Sequence, residues 1–153
     1  MRAIEIPEKF ELKVVGRIRN VDDKAWIEVD EAYLEAMQGL ELFSHIMVFY
    51  WFHENDTPEK RAVLKVHPCH NPANPLTGIF ATHSPMRPNL IAMTRCRIEK
   101  IDENKIYLDR IDAFDNSPLI DIKCYFPPDG RDVDVRTPNW VGRVQRDTAK
   151  RKI

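Results

Sequence analysis

The sequence predicts a mostly β protein built on one antiparallel sheet, closed into a barrel or folded as a sandwich. Three observations lead there. The chain has 153 residues, 43% of them hydrophobic, which suffices for one core and hardly for two. About seven or eight short runs of β-branched and aromatic residues recur along it, with turn residues between them. Only one segment reads as a clear helix.

Residues 11–19 are rich in Val and Ile and read as a first strand; residues 24–30, alternating around Trp26, Ile27 and Val29, read as a second. Asp30 is a plausible N-cap for a short helix through Met37, which Gly39 would end. Residues 42–52 (LFSHIMVFYWF) are the most apolar stretch, and their aromatic and β-branched content favours a buried strand. A short strand is expected at 61–67. The run HPCHNPANP after it holds three prolines between Pro68 and Pro75, so it reads as a surface loop. Residues 78–82 read as a short strand and 84–89 (SPMRPN) as a proline-stiffened turn. Along 91–101, Ala92, Thr94, Cys96 and Ile98 share one face. A turn at 102–105 joins this strand to 106–111 as a hairpin. Residues 119–125 form the last expected strand.

Composition excludes several classes of function. No apolar run reaches the length of a membrane span. Arg2, Glu5, Glu8 and Lys9 interrupt the stretch where a secretory signal would lie, so a cytoplasmic location is expected. Cys69, Cys96 and Cys124 form no CxxC pair, which argues against a disulfide framework and a four-cysteine zinc site. No two of the five glycines lie within four residues of each other, so neither a GxGxxG turn nor a P-loop is present. The net charge of −1 hides an asymmetry. From Arg131 onward seven basic residues face three acidic ones, leaving the rest of the chain net acidic. Such a segment is either a solvated terminus or a phosphate-contacting arm.

Four groups of residues can carry chemistry. His67, Cys69 and His70 have loose spacing and no second ligand pair, so a polar loop is the better reading than a metal site, and no metal is expected. The turn after Phe80 brings together His83, Ser84, Arg87 and Asn89 on a stretch stiffened by Pro85 and Pro88, which suits either a stiff surface turn or a rigid binding site. Arg87 can meet a carboxylate or phosphate through a planar two-point contact. Asp112 and Asp115 flank Phe114 in a bend that fits an amine, a ribose or a cation, or a self-capped turn. His53 and Glu54 emerge at the end of the most apolar run, where a lone histidine is more often structural than catalytic.

Three of these stretches resemble one family in order and spacing. GLELFSHIMVFYWFHE (39–54), GIFATHSPMRPNLIA (78–92) and IDAFDNSPLIDIKCY (111–125) are similar to the TsaA-like (tRNA methyltransferase O-like) family. The resemblance spans roughly residues 12–127. It implies a small closed antiparallel β-barrel with one or two short helices over residues 1–130, followed by a basic C-terminal tail over 131–153. It also implies a homodimer that binds S-adenosyl-L-methionine without a Rossmann domain. The implied reaction is N6-methylation of threonylcarbamoyl-adenosine beside the anticodon of tRNA. Carried over by position, the cofactor-binding residues are His53, Glu54, His83, Arg87, Asn89, Asp112, Phe114 and Asp115. His53 and His83 are candidate catalytic bases, because imidazole exchanges a proton near neutral pH. With tRNA as partner, Arg143, Arg146, Lys150, Arg151 and Lys152 are candidate RNA-binding residues, and Trp140 a candidate base-stacking residue.

The chain departs from the family pattern at several points. His83 stands where the family has Arg, and Leu90-Ile91-Ala92 where it has Pro-Ile-Gly. Asn20 follows Arg19 in place of Ser-Pro, and no Pro-Arg-Gln loop precedes Trp26. A methyltransferase acting on another substrate, or a non-catalytic module binding S-adenosylmethionine or RNA, therefore stays open beside the implied reaction.

Overall fold

A computed structural model describes residues 8–128 and 134–142. The strands are β1 (Gly16–Val21), β2 (Lys24–Val29), β3 (His45–Trp51), β4 (Lys65–Val66), β5 (Thr77–Gly78), β6 (Ile91–Asp102), β7 (Lys105–Leu108) and β8 (Ser117–Cys124). Six of them close an antiparallel barrel in the order β1-β2-β7-β6-β3-β8, and β4 and β5 pair separately. Closure leaves no free edge in the main sheet. The barrel alternative is thus the observed one, with a small two-stranded ribbon beside it.

Local chemistry sets the hairpins. Asp22 and Asp23 both adopt positive φ, 50° and 60°, between Val21 and its partner Lys24. That two-residue turn follows the right-handed twist of the strands, and Asp tolerates it better than most residues. Between Asp102 and Lys105 the turn uses Glu103 at φ 52°. Asn104 then donates its amide to Val29 O at 3.0 Å and ties this turn to β2. Inward alternation builds the core: Ile18 from β1; Ile27 and Val29 from β2; Ile46, Val48 and Tyr50 from β3; Ala92 and Cys96 from β6; and Leu119 from β8. Gly16 is required where β1 presses on β2, because a Cβ there would lie 2.2 Å from Glu28 O.

Several expected boundaries move. The first strand begins at Gly16, and Phe10, Leu12 and Val14 ahead of it are exposed. The expected helix after Asp30 is a 3-10 helix, Glu31–Met37, and the Asp30 side chain makes no cap bond. Gly39, at φ 87°, introduces a further 3-10 turn, Leu40–Leu42, so the apolar strand starts only at His45. The strand expected over 61–67 shrinks to β4, since Thr57 caps a one-turn helix, α1 (Pro58–Arg61), by accepting from Lys60 N at 3.3 Å. Pro58 at its first turn favours that helix. The strand expected over 78–82 is a 3-10 turn, Ile79–Ala81, after β5. No helix among the described residues is long and apolar enough to cross a membrane.

Candidate functional site

A cavity of about 650 Å³ opens at one end of the barrel. The proline-stiffened turn forms one wall through Phe80, Thr82, His83, Pro85 and Arg87, and the acidic bend forms another through Asp112, Ala113, Phe114 and Ser117. Strand residues Tyr50, Ile91, Ala92, Met93 and Thr94 complete it, with Asn20 from β1 and with Phe52 and His53 beyond β3. Two stretches separated by the β6–β7 hairpin in sequence thus meet across one space.

The turn is braced largely by itself. Arg87 Nη1 donates to Thr82 O and to Ser84 O, both at 3.2 Å. Its guanidinium is therefore engaged with main chain, though its side chain still lines the cavity. One support comes from outside: Arg61 Nε donates to Pro88 O at 3.0 Å. Arg61 also pairs with Asp56 at 3.1 Å and stacks over the Trp51 ring at 5.6 Å. The Trp51 indole N–H donates to Asp56 and, with Arg61, holds that carboxyl below its ordinary range.

The bend is held by the barrel. Arg19 grips the Asp115 carboxylate at 2.8 and 3.3 Å, and the Asn20 amide N–H donates to the same carboxylate at 3.0 Å. These donors push the Asp115 carboxyl below its ordinary range. The Tyr50 hydroxyl, on a side chain buried within the barrel, donates to Asp112 O at 2.6 Å, and burial pushes its own ionisation up. Asn116 closes the bend at φ 64°, a conformation Asn accepts more readily than most residues.

Of the candidate cofactor residues, His53, His83, Arg87, Asp112 and Phe114 share the cavity lining. Glu54 is exposed and its carbonyl accepts from Lys60 Nζ; Asn89 is exposed outside the lining. Asp115 faces Arg19 rather than the cavity. Sequence reasoning did not single out Tyr50, Thr94 or Phe80 for the site. The inward position of Tyr50 in an apolar strand was the available signal, because a buried phenol requires a partner.

The lining suits a flat, cationic ligand. Asp112 supplies a carboxylate, and Phe80 and Phe114, 88% and 62% exposed, present rings at the mouth. The Nδ1 atom of His53 is buried and finds no hydrogen-bond partner among the described residues. A buried nitrogen left so is costly, and a water or a ligand group in the cavity would satisfy it. An adenosyl sulfonium matches this set of donors and rings.

No group of three His, Cys, Asp or Glu residues suited to a metal occurs among the described residues. Arg143, Arg146, Lys150, Arg151 and Lys152 lie outside the described residues. Trp140 packs edge-on against Phe43 at 5.9 Å and Phe126 at 6.2 Å and remains 45% exposed. Ser44 and Arg136 exchange main-chain and hydroxyl bonds at 2.9 and 2.6 Å, which seats residues 134–142 on the barrel.

Comparison with known proteins bears on the family and the fold. The family described as tRNA-methyltransferase O N-terminal domain matches residues 8–129. A probable S-adenosyl-L-methionine-binding protein of Methanocaldococcus jannaschii is 42% identical over 116 residues, 76% of this chain and 92% of that protein. One of the same description from Pyrococcus horikoshii is 47% identical over 118 residues, 77% of this chain and 84% of that protein. The tRNA (adenine(37)-N6)-methyltransferase of Mus musculus is 41% identical over 91 residues, which cover 59% of this chain and 20% of that protein. A crystal structure of TrmO from Pseudomonas aeruginosa superposes with a TM-score of 0.61 at 25% identity, covering 84% of this chain and 61% of that one. The chain thus spans most of its archaeal relatives and a smaller share of the others.

Proposed function

Because the chain belongs to the tRNA-methyltransferase O N-terminal domain family, we propose that it is an S-adenosylmethionine-dependent methyltransferase acting on adenine N6 in tRNA. The substrate is threonylcarbamoyl-adenosine beside the anticodon. The protein works as a homodimer in the cytoplasm. Its barrel carries the chemistry, and the basic segment after residue 130 holds the tRNA backbone through Arg143, Arg146, Lys150, Arg151 and Lys152. The observation that carries this reading is the meeting of the proline-stiffened turn and the acidic bend across one cavity, with the unpaired His53 Nδ1 in its lining.

S-adenosylmethionine supplies an activated methyl group on a cationic sulfur. Asp112 and the Phe80 and Phe114 rings favour a positive charge at the cavity mouth. A carbamoylated N6 is a weak nucleophile with an acidic N–H, so removing its proton accelerates attack. One of the two histidines that line the cavity, His53 or His83, takes that proton. Alignment of the two reacting groups by the rigid walls is worth about 7–11 kcal/mol when geometry is good.

The test incubates the purified protein with S-adenosylmethionine and tRNA carrying threonylcarbamoyl-adenosine, followed by nucleoside mass spectrometry. A gain of one methyl on that nucleoside is expected, and one of the two variants His53→Ala and His83→Ala should lower turnover roughly 10²-fold or more. Full turnover in both His53→Ala and His83→Ala would remove histidine from the chemistry. A second reading, binding without transfer, draws on the archaeal relatives being named for binding alone. Cofactor binding without any methylated nucleoside would favour it.

A further inference from the structure

The bend between β7 and β8 has its main-chain oxygens occupied one after another. Asn20 Nδ2 donates to Ile111 O at 3.1 Å and to Ala113 O at 2.8 Å. Tyr50 donates to Asp112 O at 2.6 Å. The hydroxyl of Ser117 donates to Phe114 O at 2.7 Å. One amide group therefore uses both its protons on two carbonyls that flank a third, and only the nitrogen face of Asn20 can do this. The bonds fix an alternation. Ile111 and Ala113 are buried at 7% and 8% exposure, whereas Asp112 and Phe114 are exposed, and all of them but Ile111 line the cavity.

The structure assigns Asn20 and Tyr50 as positioning residues of the methyl-donor site. They hold Asp112 and Phe114 where a carboxylate and a ring together favour a sulfonium over the neutral thioether left after transfer. This assignment rests on the reading of the cavity as an S-adenosylmethionine site. Neither side chain needs to touch the charge. Asn20 stands where the resembling family carries Ser-Pro, and its amide supplies two donors that those residues lack.

The test compares the full-length protein with Asn20→Leu and Tyr50→Phe. Asn20→Leu keeps the approximate shape and removes both donors without adding charge to the cavity lining. Tyr50→Phe removes one donor and keeps the ring. Calorimetry measures S-adenosylmethionine and S-adenosylhomocysteine binding, and hydrogen exchange is followed on the same samples. In both variants the Kd for S-adenosylmethionine should rise roughly tenfold, as for one weakened charge-assisted contact, and that for S-adenosylhomocysteine less than about threefold. Exchange should quicken over residues 111–117 and stay slow in β3 and β6. An unchanged sulfonium Kd overturns the assignment. So does an equal loss for both ligands, or exchange that quickens throughout the barrel. If the unaltered protein binds neither ligand, the cofactor reading fails, and the exchange result alone decides whether these two residues hold the bend.

Discussion

The bend at 111–117 draws most of its hydrogen bonds from Arg19 and Asn20, 91 to 96 positions away, and from Tyr50, 62 positions away. The turn at 82–89 draws most of its own from two to five positions away, through Thr82, Ser84 and Arg87. Arg61, 27 positions off, is its main distant support. Both border the same cavity, yet one takes its shape from the closed barrel and the other from local chain stiffness. A change that loosens β1 should therefore reach the bend and spare the turn.

Gly16→Ala should break this contrast most strongly. Its new methyl would meet Glu28 O at 2.2 Å and force β1 away from β2, just before Arg19 and Asn20. A loss at or above the upper end of roughly 1–3 kcal/mol is expected in urea unfolding. Cofactor affinity should fall with it. Unaltered unfolding and binding would show that the bend does not depend on β1.

Acid should sharpen the comparison next. The Asp115 carboxyl lies below its ordinary range because Arg19 and the Asn20 N–H bind its charged form. Its contribution is complete above the unfolded value, about 3.9, and is lost as pH falls through the depressed folded value. Asp56, beneath the turn, is depressed through Trp51 and Arg61 and follows the same sign. Thermal melts at stepped pH should show Asp115→Asn less stable than the parent at pH about 6, with the gap closing below about 4. A gap that widens toward acid would contradict the Arg19 pairing.

The smallest effect is expected at Pro88, which belongs to the turn but not to the cavity lining. Replacing it with Ala should cost only about 0.4–1 kcal/mol, through a freer unfolded chain. Cofactor binding should change little, because Arg87 still ties Thr82 to Ser84. Calorimetry that shows binding abolished in Pro88→Ala would mean the turn is not self-braced.

The strands that were legible are those marked by aromatic and β-branched content, such as β3, or by alternation between faces, such as β6 with Ala92 and Cys96 inward. The turn and the bend were legible through their prolines and acids, and they do share a cavity. Their supports were not. Asn20 and Tyr50 act on residues far away in sequence, and nothing in their immediate neighbours reveals the carbonyls they meet. Asp115 illustrates the converse, since an acid at the right spacing for a ligand proves committed to Arg19. The segment 57–66 misled because Thr57 and Pro58 start a helix that runs through Arg61, and Val63 and Leu64 lie in the connection before the two-residue strand Lys65–Val66.

The pairing of β1 with β8 joins Gly16 to Leu119, so the barrel closes only when distant ends of the chain meet. Contacts of such long range form late and slowly. During synthesis, a nascent chain ending before Ser117 lacks the strand that completes the sheet, and Arg19 lacks Asp115 if the chain ends before the bend. Methyl-donor capture then comes after translation of nearly the whole barrel, and the ligand rewards only chains that have finished folding.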